Sequence, residues 1–239
     1  MLFEELDYRP TPIGDLSLRR RRELKLGIDV VEIKLGDEFL MSSLFTASEI
    51  ELAKLGLARL EGTGLDVVVG GLGLGYTAEA VLQHNKVGSL IVVEMLDAVV
   101  DWHEQGLLPL GPVLTGDPRC RFVRGDFYAL ADSAAGFDPQ SPERRFHAIL
   151  LDIDHSPDAL LDDRSAGFYQ PAGLARLAGQ LHPGGVFGLW SNEPPDEAFT
   201  ARLASVFAAA EGVPVTFHNP LQDKPFTQTV YLARKAGTA

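Results

Sequence analysis

Only one cysteine, Cys120, occurs in 239 residues, so no intrachain disulfide can form. It sits in the short run Cys120-Arg121-Phe122-Val123 and reads as a small core residue. No cluster of histidine and cysteine exists, and Asp162-Asp163 and His182 have no partners at metal-ligand spacing, so no metal is expected. A basic excess is missing too: Asp and Glu number 33 against 21 Lys and Arg, a net charge of -12. That balance argues against non-specific attraction to nucleic acid or anionic membrane and suits a cationic or neutral small molecule. The one basic run, Arg19-Arg20-Arg21-Arg22, would alternate its charges between the faces of a strand, as a solvated or interface segment, and is assigned no site. No apolar stretch approaches the roughly 20 residues of a membrane span. The start, Met1 to Asp7, is acidic where a secretory leader is basic and then apolar, so a cytoplasmic protein is expected. There is no Gly-x-Ser-x-Gly elbow, which argues against a serine hydrolase.

What the sequence does have is order. From about Ile13 to Leu35, the alternating stretches Leu16-Ser17-Leu18 and Val31-Glu32-Ile33-Lys34-Leu35 flank Gly27 and close on Gly36-Asp37, predicting a small antiparallel β unit. Ser48-Glu49-Ile50-Glu51 fits a capping box before Leu52, Leu55, Leu57 and Leu60, predicting a helix to about Glu61. Five short apolar runs then alternate with helical stretches: Val67-Val68-Val69, Leu90 to Val93, Arg121-Phe122-Val123, Ala148 to Leu151 and Val186 to Leu189. Continuous apolar strands separated by helices predict a parallel sheet covered on both faces. Val213 to Phe217 and Thr229 to Leu232, with no helix between them, predict a terminal antiparallel hairpin. The fold class is α/β, a Rossmann-like sheet of the class I methyltransferase type, with residues 1–45 as a β-rich cap and 46–239 as the catalytic domain.

Val67-Val68-Val69 runs into Gly70-Gly71-Leu72-Gly73-Leu74-Gly75, and a helix follows from Thr77. A strand-to-helix turn rich in glycine lets backbone approach a ligand that a Cβ would block, next to the free amides of a helix start; Gly71, Gly73 and Gly75 are therefore candidate ligand-binding residues. Glu94 ends the next strand about 20 residues on, where a carboxylate can accept from both ribose hydroxyls. Asp126 ends the third strand, where it could accept from an adenine amino group with Phe127 against the ring, or simply cap a helix. Gly73-Leu74-Gly75-Tyr76-Thr77-Ala78 also fits a dinucleotide fingerprint with Glu94 as ribose acceptor, so a nicotinamide cofactor stays open as a rival that gives Asp126 no role. At the carboxyl end of the fourth strand, Asp152, Asp154 and His155 are the candidate catalytic residues, able to orient or deprotonate an acceptor. Tyr169, beside Phe168, and Trp190, at the end of the fifth strand, are candidate substrate contacts.

Over roughly Leu16 to Lys235 the chain resembles the spermidine synthase family and its methyltransferase-like relatives. The shared marks are Asp37-Glu38-Phe39, the glycine loop with Glu79, Val93-Glu94, Gly125-Asp126, and Leu151-Asp152 followed by Phe168-Tyr169. The resemblance implies that Glu94 and Asp126 hold the ribose and adenine of an S-adenosyl donor, that Asp152 helps activate an acceptor amine, and that the cap serves a homodimer. Three departures stand out. Gly73 replaces the aspartate that in the family grips the amine of decarboxylated S-adenosylmethionine; losing that charge removes a penalty against a carboxylate and is expected to open space. Met41-Ser42-Ser43 replaces a Tyr-His-Glu-like stretch that receives the polyamine. His155 stands where the family has its second aspartate, with Asp154 beside it. The expected function is methyl transfer from S-adenosylmethionine to a small molecule, with aminopropyl transfer from the decarboxylated donor as the alternative. A non-catalytic nucleotide-binding module and an NAD-type oxidoreductase are the further readings.

Overall fold

The alternating runs around Leu16 and Val31 do form strands, in a sheet larger than those runs alone suggest. The computed structural model describes residues 2–11 and 13–237; Met1, Pro12, Thr238 and Ala239, and with them the outermost ends of both expected segments, lie outside the described residues. Four antiparallel strands follow one another: β1 (Phe3–Thr11), β2 (Gly14–Glu23), β3 (Ile28–Leu35) and β4 (Glu38–Ser42). The sequence reading missed β1 and β4, the two edges. Irregular pairing between Glu5 and Asp7 on β1, and opposite β4 between Ile33 and Lys34, breaks the period of two that marks a strand in sequence. Leu16, Leu18, Val31 and Ile33 point inward and join the same apolar core as the helices of the larger sheet. All four arginines of the basic run are paired. Arg19 and Arg21 close on Glu32 at 2.7 and 2.9 Å, Arg22 on Asp29 at 2.9 Å, and Arg20 reaches Glu4 at 3.6 Å.

The following helix, α1 (Ala47–Ala58), begins one residue before the expected cap, with Thr46 at its N-cap position. The capping box is not made. The Ser48 hydroxyl turns instead toward Trp190, Gln228 and Glu49, so it cannot serve the helix end.

The larger sheet has seven strands: β5 (Leu65–Gly70), β6 (Val87–Glu94), β7 (Cys120–Arg124), β8 (Phe146–Leu151), β9 (Leu181–Ser191), β10 (Ala209–Asn219) and β11 (Lys224–Arg234). Their order across the sheet is β10-β11-β9-β8-β5-β6-β7. Strands β5 to β9 are parallel, and β11 lies antiparallel between β9 and β10. This is the class I methyltransferase-like arrangement, all seven strands being those expected, at greater length. A purely parallel dinucleotide-binding sheet lacks the reversed pair. Val67, Val69, Ala148 and Leu150 pack on one face and Val68, Ile149 and Leu151 on the other, as a sheet covered twice requires. The covering helices include α2 (Tyr76–Leu82), α3 (Asp97–Glu104), α4 (Gly111–Gly116) and α5 (Phe127–Asp132). They continue with α6 (Pro171–Gly179) and α7 (Glu197–Ala204), after a 3-10 turn at Asp163–Gly167. Among the described residues no helix is long and apolar enough to cross a membrane. Cys120 lies half-buried on β7, and burial pushes its thiol up to about 12.

Candidate functional site

The chain reverses beside β5, leaving a crevice at the carboxyl ends of the parallel strands, where open α/β sheets bind ligands. There a cavity of about 690 Å³ lies between the strand ends and the N-terminal sheet. Its walls include Gly71, Gly73, Glu94, Asp126, Phe127, Asp152, Asp154, His155 and Trp190 from the sequence reading.

The loop after β5 separates two jobs by alternation. Leu72 and Leu74 are buried in the core, while Gly71, Gly73 and Gly75 take positive φ of 91°, 45° and 95°. A Cβ on Gly71 would collide with the backbone carbonyl of Asp152, so the two strand ends can approach only with glycine there. Gly71→Ala is therefore expected to cost about 2 kcal/mol in a urea denaturation series; an unchanged midpoint would contradict the crowding. Gly75 is packed by Leu114 and His103 and stands back from the cavity wall. His103 is buried, its imidazole pushed down to about 4, and its neutral ring bonds the Gly73 carbonyl at 2.8 Å through Nε2. That bond pins the loop from behind.

Gly73 does not open space, contrary to expectation. The Sδ and Cε atoms of Met41 fill the volume where a Cβ would stand, and the Leu74 N–H points at the thioether sulfur at 2.7 Å. The space beside Gly73 is thus taken by an uncharged side chain delivered by β4.

Glu94 accepts the Leu72 N–H at 2.9 Å on one oxygen and the Leu96 N–H at 2.8 Å on the other. Burial raises its pKa, opposed by these backbone donors. The carboxylate lies on the cavity wall, where it can face a ribose diol. Asp126 caps α5, accepting from Tyr128 N at 2.9 Å and Ala129 N at 3.4 Å through Oδ1. The cap leaves Oδ2 free, so the two roles weighed for Asp126 are compatible. Phe127 is stacked on Phe137 at 4.9 Å and presents part of its ring to the cavity.

Asp152 lines the cavity and accepts the Thr77 hydroxyl at 2.7 Å. Across from it, from α1, comes Glu49, which the sequence reading treated only as part of a cap. Both carboxyls are pushed well up: Asp152 by burial, Glu49 by burial and then by the charge of Asp152. The hydrogen count at Ser48 gives the same answer. Its Oγ lies 2.7 Å from the Trp190 indole N–H, 2.5 Å from Gln228 Oε1 and 3.0 Å from Glu49 Oε2. The Gln228 amide nitrogen donates to Asn192 Oδ1 at 2.8 Å, which turns its oxygen to Ser48. A hydroxyl has one hydrogen, so Ser48 cannot donate both to Gln228 and to Glu49, and a proton that burial keeps on the Glu49 carboxyl would complete the set. Burial of both groups and the charge of Asp152 on Glu49 therefore oppose a second negative charge on the pair.

Asp154 is spent elsewhere. It is 1% exposed and accepts from Tyr128 and Tyr169 hydroxyls at 2.5 and 2.7 Å and from Leu161 N at 2.8 Å. Tyr169, expected against substrate, is buried behind Tyr128 and is not on the cavity wall. Together they fasten the loop after β8, and Tyr128, missed in the sequence beside Phe127, lines the cavity along with Asp154. His155 meets Glu38 of β4 at 2.9 Å, a tie between the two sheets at the rim. Trp190 is on the wall as expected, and Leu221, next to the Asn219 turn, reaches it from the terminal hairpin.

Away from the cavity, folding brings His182 together with Asp66 and His147, their ligand atoms within 4.8 Å of one another. The His147 Nδ1 lone pair already accepts the Asp66 N–H at 2.9 Å, and Asp66 Oδ1 is held by Arg144 at 2.6 Å. His147 Nδ1 and Asp66 Oδ1 are thus engaged within the protein, which weighs against those two atoms as metal ligands.

No protein-family model matches the chain. Among solved structures, a spermidine synthase in complex with the transition state analogue AdoDATO superposes with a TM-score of 0.73 at 16% identity, over 98% of this chain and 74% of that one. A spermidine synthase from Thermotoga maritima gives 0.72 at 16% identity, over 98% and 73%. The chain has the fold of the spermidine synthases, from its N-terminal sheet to its C-terminal hairpin.

Proposed function

We propose that the protein transfers an aminopropyl group from decarboxylated S-adenosylmethionine to an amine held at Asp152. The likeness to spermidine synthases supports the reaction class, and the charge of the cavity supports the choice of donor. Glu94, Asp126 and Asp152 line it, whereas both arginines on its wall are engaged: Arg21 with Glu23 and Glu32, Arg164 with Asp162. An intact donor would bring an α-carboxylate with no unpaired arginine to receive it, at the cost of burying an unmatched charge. The decarboxylated donor brings only positive charge. This reverses the order of donors expected from Gly73, because the room that order required is taken by Met41.

In this reading Glu94 and Asp126 hold the nucleoside and the glycine loop passes beneath it. Asp152 takes a proton from the bound ammonium. The freed nitrogen attacks the carbon next to sulfur, the C–S bond breaks with its electron pair going to sulfur, and a neutral thioether nucleoside leaves. Residues 1–45 act as the roof of the cavity.

One observation favours methyl transfer as the second reading: Gly73 lacks the aspartate that selects the decarboxylated donor in the resembling family. Incubation with each donor and a panel of amines separates the two by product. Methylthioadenosine from the decarboxylated donor supports the proposal, and S-adenosylhomocysteine from the intact one replaces it with the second reading.

A further inference from the structure

We propose that the acceptor is a monoamine with an apolar tail, an alkylamine or arylalkylamine, and not a diamine or polyamine; this rests on the transferase reading above. At the reacting end, Glu49 and Asp152 share one stretch of cavity wall, and burial opposes a charge on both at once, which suits one ammonium group. Beyond it the cavity wall under the N-terminal sheet is apolar, formed by Leu40, Leu44, Phe45 and Leu221. Phe45 is fixed there by its contact with Phe217 of the terminal hairpin, at 6.1 Å between ring centroids.

A diamine would need a second acid at the far end of that wall, and the acids nearby are committed. Glu32 is 2% exposed and closed between Arg19 and Arg21. Glu38 is tied to His155, and Asp162 to Arg164. A second ammonium would have to break one of these pairs or lie unpaired against leucine and phenylalanine, whereas a hydrocarbon tail fits the wall as it stands. Each methylene moved from water to such a wall favours binding by about fourfold.

The test compares hexylamine, pentylamine and putrescine, the last two matched in length. With the decarboxylated donor, kcat/KM should be at least about tenfold higher for pentylamine than for putrescine, and higher again by about fourfold for hexylamine. Leu44→Glu, which places a free carboxylate on the apolar wall, should invert the ratio in favour of putrescine. Calorimetric titration of the donor-free protein with the same amines ranks them without turnover. Putrescine preferred by the unaltered protein in either arm, or a ratio unmoved by Leu44→Glu, overturns the proposal. Titration with methylthioadenosine checks the transferase reading separately: if the nucleoside fails to bind while the amine ranking holds, the donor assignment falls and the monoamine site stands.

Discussion

Asp152→Asn will lower kcat by about a thousandfold while leaving donor affinity within about twofold. The reason is positional. Asp152 follows directly on β8, its main chain pressed against Gly71 and its Oδ2 held by Thr77 at 2.7 Å, which leaves Oδ1 for the proposed acceptor. Asparagine keeps the shape and can still accept from Thr77, but it cannot take a proton. In the proposed reading donor binding rests instead on Glu94, Asp126 and the loop, none of which bonds the Asp152 side chain. Steady-state kinetics together with calorimetric titration of methylthioadenosine check both halves. A variant that keeps full turnover removes Asp152 from the chemistry, and one that loses nucleoside binding as well gives it a structural task.

Glu49→Gln is expected to raise stability by about 2 kcal/mol at about pH 9 and to change it little at about pH 4. In the unfolded chain Glu49 ionises in the ordinary carboxylate range; folded, it holds its proton to higher pH because burial and the Asp152 charge oppose ionisation. The folded state thus binds more protons across that interval, and stability falls as pH rises through it. Glutamine keeps a hydrogen to donate to Ser48 and has no proton to lose. The groups facing this position are Asp152 from β8 and Tyr76 from α2, whose phenol is itself raised mainly by burial and then by Glu49 and Glu79. Glutamine is as neutral as the protonated glutamate, and the raised pKa of Asp152 comes from burial, so the acid limb of the kcat/KM profile should stay where it is. Denaturant midpoints at the two pH values are the readout. An equal loss of stability at both would mean that Glu49 is ionised in the folded protein and that the Ser48 hydroxyl points to it.

The large sheet was legible because strands buried on both faces carry unbroken apolar runs, such as Val67 to Val69 and Ile149 to Leu151. Edge strands β1, nearly half charged, and β4, only five residues long, are irregularly paired and leave no such mark. At the site, Gly71, Glu94, Asp126 and Asp152 could be found from the topology alone, since each ends a parallel strand or follows one. Glu49 could not. Its spacing resembles a capping box, and its role exists only because α1 lies against the ends of β8 and β9. Gln228 and Asn192 are likewise far apart in sequence and meet through the antiparallel register that sets Thr229 opposite Ser191. Asp154 and Tyr169 were recognised as belonging near the reaction, but their bond to one another is what the fold uses. Met41 was noticed only for the residue it replaces; that its thioether would reach the glycine loop depends on how β4 approaches β5.

The central claim is that this cavity binds a donor with a positive tail and no carboxylate. Calorimetric titration of the protein with decarboxylated and with intact S-adenosylmethionine tests it most directly. The account predicts binding at least about tenfold tighter for the decarboxylated donor, weakened in parallel for both by Glu94→Gln. Equal or tighter binding of the intact donor, or no binding of either, would contradict it.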